Sequence, residues 1–259
     1  MLKQESRAYK TLGVLAAILL LGACALSTRE HSESPPDVRA ETEQDKALLE
    51  RIAAMPLADL QALADEGNVK AKIELAARYA NGNGVEVDTP KAIALLDEAI
   101  AAGDSQAMFF RGVMAHNGMG VPVNMAEAVL WYEKSAAKGN MFGEYWLAFM
   151  IGNGLGGISP NWPGAVPLLE KAAAQNHSDA QFMLGWLYES GEGGQGIDYE
   201  KAGDWYRKAT ATHLNQKAQF NLINLLGEGK IKWREGDPVI PKQAESSDST
   251  VDSQTAHQE

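Results

Sequence analysis

The residues able to do chemistry are few, and their spacing restricts them. His31, His116, His177, His213 and His257 form no i, i+4 pair and no His-Glu motif, and the single cysteine is Cys24. Neither a zinc site nor a catalytic histidine follows from that pattern, and no metal or cofactor is expected. Ser135-Ala136-Ala137-Lys138 sets an amine one turn from a hydroxyl, an arrangement used in serine acylation, and Ser159-Pro160-Asn161 follows downstream. The set stays incomplete, because there is no Lys-Thr-Gly or Lys-Ser-Gly triplet and no Gly-x-Ser-x-Gly elbow. Glu189 and Glu192 pair two carboxylates, but nothing fixes them as an acid and a base. Gly82/Gly84, Gly118/Gly120, Gly154/Gly156 and Gly191/Gly193 have the look of phosphate loops; they follow helical patterns rather than strands, so backbone turning explains them. Chemistry by elimination gives way to binding, and the chain is not expected to be an enzyme.

These residues are carried by a repeat. Ala180, Leu184, Gly185 and Tyr188 recur as Ala71, Leu75, Ala76, Tyr79; as Ala107, Arg111, Gly112, Ala115; as Gly143, Leu147, Ala148, Ile151; and as Ala218, Leu222, Ile223, Leu226. The starts at 71, 107, 143, 180 and 218 give a period of 36 to 38 residues, with two helical patterns in each unit. That is the signature of an α-solenoid, in which each unit buries its apolar face only against its neighbours. Asp88, Asn124, Asn161 and Asp198 precede the second helices and are expected to cap them, and Gly103, Gly139, Asn176 and His213 close them. Of the closing residues His213 fits least well, and a distorted junction is expected there. Ser135 falls in the small core slot of Ala99, Ala172 and Ala209.

The anchors together, a small residue three before Leu-Gly, an aromatic or aliphatic residue three later, a Gly-x-Gly turn, then Trp205-Tyr206 and a closing glycine, resemble Sel1-like repeats, relatives of the tetratricopeptide repeat. The resemblance covers about residues 57–229. It implies an all-α, α/α superhelical solenoid of about five repeats whose main use is holding other proteins. Some proteins of this kind have been discussed as penicillin binders, which is why the serine-lysine motif is worth placing.

The ends read differently. Lys3, Arg7 and Lys10 precede an apolar run, Leu12 to Ala23, of about a dozen residues, short of the roughly 20 a membrane span needs. Residues 1–23 are therefore expected to be a signal peptide. Leu21-Gly22-Ala23-Cys24 resembles the lipobox of bacterial lipoproteins, which implies acylation of Cys24. Ala25 follows where an aspartate would favour retention at the inner membrane, so the resemblance implies the outer membrane, facing the periplasm. Residues 24–44 are expected to be a lipidated cysteine and disordered tether, 45–70 N-terminal capping helices, 71–229 the solenoid, and 230–259 an irregular cap and disordered tail. In that cap Ile231, Trp233, Val239 and Ile240 either fold back or leave an apolar end face.

The formal charge of −11 becomes −13 without residues 1–23, which carry three basic and one acidic side chain. Phosphates demand a basic face, so nucleic acid is excluded as a partner, and a basic protein would be steered in. By analogy with tetratricopeptide arrays, a second stripe on the first helices lines a concave groove: Phe109, Tyr145, Phe149, Phe182 and Trp186, with His116, Asn117, Asn153 and Glu189 one turn on. The alternative is that such aromatics fill seams between repeats, with Phe109, Phe182 and Phe220 the candidates for that role. Trp162 stands in the one loop that breaks the pattern. The resemblance to Sel1-like lipoproteins implies a non-catalytic module in the cell envelope, either a scaffold or an immunity protein neutralising a toxic effector. The alternatives are an enzyme acting on penicillin or peptidoglycan, and a structural oligomer built through the C-terminal face.

Overall fold

A computed structural model describes residues 43–213 and 215–238. The expected signal peptide, Cys24, most of the expected tether and the polar tail lie outside the described residues. Eleven helices and no strands occupy what is described: α1 Glu43–Ala53, α2 Leu57–Asp65, α3 Val69–Asn81, α4 Thr89–Ala101, α5 Ser105–Asn117, α6 Met125–Ala137, α7 Met141–Asn153, α8 Trp162–Ala174, α9 Ser178–Ser190, α10 Tyr199–His213 and α11 Gln216–Gly227. From α2 onward each helix packs on its neighbours in the chain, α1 packs on α3, and α9 also meets α11. This nearest-neighbour pattern is what a one-dimensional solenoid requires.

The helix ends are written into the sequence. The side chains of Asp88, Asn124 and Asn161 accept the N–H of Lys91, Glu127 and Gly164 at 3.0, 3.1 and 2.9 Å, and Asp198 accepts that of Lys201 at 3.0 Å. Each capping residue also ties the loop back to the first helix, its own N–H donating to the carbonyl of Tyr79, Ala115, Ile151 or Tyr188. A second set of caps was not anticipated. Asn68, Asp104, Asn140, His177 and Asn215 accept the N–H of the third residue of each first helix. The signal was available, since the first four of these residues directly follow a closing glycine or asparagine. Asn176 adopts φ 64°, as a non-glycine helix closer must. In the fourth loop the expected glycine pair is displaced: positive φ falls at Gly191, Gly194 and Gly196, while Gly193 turns inward and is buried. That loop, like the third, is a residue longer than the first two.

Two irregular regions behave differently from each other. The third repeat keeps a full-length α8 despite three prolines, because Pro160 precedes the cap and Pro163 sits in the first turn, where its missing N–H has no helical acceptor; only Pro167 removes an internal bond. At the other junction α10 runs on to His213, two residues longer than the thirteen of α4, α6 and α8.

Beyond α11 the chain folds back over α10. Ile231 is buried against Gly203, and Arg207 forks both carboxylate oxygens of Asp237 at 2.7 and 2.9 Å. Arg234 reaches Glu200 and Asp204, whereas Trp233 is exposed and Val239 and Ile240 lie outside the described residues. The guanidinium of Arg207 holds the Asp237 carboxyl below the ordinary aspartate range. Its contribution is therefore complete above the unfolded-state value of about 4 and disappears as pH falls through the depressed folded value. Asp237→Asn should free this strap, costing about 2 kcal/mol for a charge-assisted pair, read as faster amide exchange at Ile231 with α5 to α8 unchanged.

Candidate functional site

The interior of each repeat turns on one close contact. In the second repeat the ring of Tyr132 lies under Gly112, so near that a Cβ there would fall 2.6 Å from the ring; in the fourth, Tyr206 lies under Gly185 with 2.5 Å to spare. In the first and third repeats the same two slots hold Ala76 with Leu96 and Ala148 with Leu169, all buried. A large ring is admitted only where the facing helix gives up its methyl.

That exchange explains two of the residues expected in the groove. His116 and Glu189 stand four residues after Gly112 and Gly185, and both meet a tyrosine hydroxyl. Tyr132 Oη lies 3.3 Å from His116 Nδ1, and Tyr206 Oη donates to Glu189 at 2.5 Å while accepting from Asn221 Nδ2 at 2.9 Å. Where the slot holds leucine, the corresponding positions are the non-polar Ala80 and Gly152. Burial pushes both tyrosine hydroxyls up, and the Glu189 carboxylate raises Tyr206 further. Burial also pushes His116 down, favouring the neutral imidazole. His116 and Glu189 thus answer polar groups of the core.

Phe109 corrects the groove assignment outright. It is 5% exposed, packed between Phe110, Tyr132 and Phe142 with ring centres 5.5 to 5.9 Å apart. The next repeat covers it, so it cannot line an open surface. Phe182 is half-buried, 5.9 Å from Tyr206, and Phe220 at the same repeat position is 63% exposed because no further repeat covers α11 among the described residues.

Of the remaining positions, Tyr145, Phe149 and Asn153 lie on α7, Trp186 on α9, Trp162 on α8 and Asn117 on α5. Tyr145 stacks on His177 at 4.6 Å, Phe149 meets Trp146 edge-on at 5.6 Å, and Trp186 meets Trp162 edge-on at 5.5 Å. All of these rings except His177 are half-buried. Trp162 in turn covers Gly152, where a Cβ would collide with its ring. Asn117 is half-buried at the end of α5, and Asn153 is exposed at the end of α7, its amide donating to the Phe149 carbonyl at 2.9 Å. Trp146 was missed by sequence reasoning, although it joins His116, Tyr132, Tyr145 and Phe149 into one aromatic cluster. Its slot holds Glu74, Phe110, Met183 and Asn221 elsewhere, a mixture that gives no periodic signal.

Ser135 is fully buried and its hydroxyl donates to the Ser105 carbonyl at 2.9 Å. With Gly143 pressed against it, no acyl donor reaches this oxygen, so the serine-lysine motif is a packing feature. Among the described residues no three His, Cys, Asp or Glu side chains converge as a metal site, and no helix is long and apolar enough to cross a membrane.

The Sel1 repeat family model matches residues 69–104, 105–140, 142–177 and 178–211, together more than half of the chain. The chain belongs to the Sel1 repeat family. Four Sel1 repeats are matched; α11 begins a fifth, whose second helix is not present among the described residues. Sel1 repeats generally serve as non-catalytic scaffolds for protein interaction. Solved structures agree in fold. A Sel1 repeat protein from Oxalobacter formigenes is 27% identical at TM-score 0.60, over 66% of this chain and 69% of that one. The protective antigen c5321 of uropathogenic Escherichia coli is 28% identical at TM-score 0.57, over 72% of this chain and 39% of that one, so this chain spans well under half of it. The immunity protein Pa5087 of Pseudomonas aeruginosa shares the fold at 21% identity and TM-score 0.51, over 78% and 75%. No curated protein matches the chain.

Proposed function

We propose that this Sel1 repeat chain is a lipid-anchored module of the outer membrane, facing the periplasm, that holds a protein partner on the aromatic face of α7 and α9. The observation that carries the binding role is that Tyr145 and Phe149 on α7 and Trp186 at the equivalent repeat position on α9 keep their rings only half-buried. Aromatic side chains with part of the ring free dominate interface energetics. The acidic charge favours a basic partner. Anchoring rests on Leu21-Gly22-Ala23-Cys24, and acyl chains contribute roughly 0.8 kcal/mol per buried CH₂, so more than one chain holds a protein stably.

Cys24→Ser is expected to abolish incorporation of a labelled fatty acid and to move the protein from the membrane to the soluble fraction; unchanged membrane association would refute the anchor. Within the binding role we favour immunity to a secreted effector over an assembly scaffold, since the fold is shared with an immunity protein. Co-expression with a periplasm-directed antibacterial effector that the chain is found to bind tests this. Protection supports immunity, and continued killing with the chain present at the membrane points to a scaffold.

A further inference from the structure

Asparagine followed by glycine occurs four times, at Asn81-Gly82, Asn83-Gly84, Asn117-Gly118 and Asn153-Gly154. The dipeptide is chemically special because glycine has no side chain to shield its backbone nitrogen, which can then reach the asparagine amide carbon. Folding treats the four unequally. Asn81, Asn117 and Asn153 are the last residues of α3, α5 and α7, and the glycine N–H after each is held in the helix end, donating to Arg78 at 2.8 Å, Met114 at 2.9 Å and Ile151 at 3.3 Å. The amides of Asn81 and Asn153 are also bound, each donating to a backbone carbonyl at 2.9 Å.

Asn83 is placed differently, although its own N–H still donates to the Arg78 carbonyl at 3.1 Å. It lies outside the helix in the loop between α3 and α4, and both it and Gly84 are exposed. The Gly84 N–H has no hydrogen-bond partner among the described residues, and there is open space around its Cα. Its nitrogen is therefore free to approach the amide without breaking a helix end.

We propose that Asn83 is a site of spontaneous deamidation, selected among the four by the fold. Hydroxide removes the Gly84 amide proton, and the nitrogen attacks Cγ of Asn83. The N–Cγ bond forms, the Cγ–Nδ2 bond breaks, and Nδ2 leaves as ammonia with a proton from water. One water then opens the cyclic imide to aspartate or isoaspartate, with no change in oxidation state. The product adds one negative charge, and isoaspartate adds a backbone methylene, in the loop that delivers Asp88 to its capping position on α4.

The test is incubation of the full chain in detergent at mildly alkaline pH, followed by peptide mapping of aspartate and isoaspartate at the four sites, folded and in urea. In the folded protein Asn83 should convert about tenfold faster than Asn117, a difference of about 1.4 kcal/mol, with Asn81 and Asn153 no faster than Asn117. In urea the four rates should converge, because only the fold separates them. Equal folded rates at Asn83 and Asn117, or the same ranking persisting in urea, would overturn the proposal.

Discussion

Gly185→Ala is expected to destabilise the fourth repeat by about 2 kcal/mol, the cost of forcing a methyl into a packed core. The added carbon would stand 2.5 Å from the Tyr206 ring, which is fully buried and anchored through its hydroxyl to Glu189 and Asn221. The ring has nowhere to go. Tyr206→Leu alone should cost about as much, by leaving a cavity and depriving Glu189 and Asn221 of their partner. Combined, the two substitutions recreate the Ala148 and Leu169 arrangement that the third repeat already uses. The double variant should therefore be more stable than the two losses added together, by about 1 to 2 kcal/mol of coupling in a denaturant cycle. Additive losses would mean that the glycine and the tyrosine are independent.

Trp162→Ala should cost about 3 kcal/mol, the lower range for removing a tryptophan, because part of its ring is exposed. The ring closes over Gly152 and is the edge partner of Trp186 at 5.5 Å, so its loss opens the seam between the third and fourth repeats. Unfolding should then begin at that seam and split into two steps, since repeat arrays are held together by neighbour contacts alone. A single cooperative transition at the wild-type midpoint would show that Trp162 is ornamental to the fold.

The contrast between what was legible in the residues and what was not has a physical basis. Period, caps and small anchors are local: Asp88 meets Lys91 three residues away, and the same relation repeats. The fate of an aromatic ring is not local. Phe109 and Phe220 hold the same repeat position, yet one is 5% and the other 63% exposed, because covering depends on the repeat that follows. His116 and Glu189 looked like groove residues until their partners, 16 and 17 residues further on, were placed. The pairing could still have been read from the chain, since tyrosine replaces leucine wherever glycine replaces alanine 20 or 21 residues earlier. Arg111 is the reverse case, a visible break in a column of leucines. It is accommodated between Asp97 at 3.6 Å and Glu127 at 3.9 Å with its guanidinium over Trp131.

The proposed binding role assigns Tyr145, Phe149 and Trp186 to the partner. Phe149 tests it most directly, because its ring touches Trp146 but closes no glycine seam and holds no hydroxyl. The measurement is covalent capture of a defined envelope protein by full-length chain in intact cells, set beside the thermal midpoint, for wild type and Phe149→Ala. Phe149→Ala should lose capture at an unchanged midpoint, with a hot-spot ring contributing about 2 kcal/mol or more to affinity. Capture that persists in the variant, or a midpoint that falls together with it, would contradict the claim and return this face to the core.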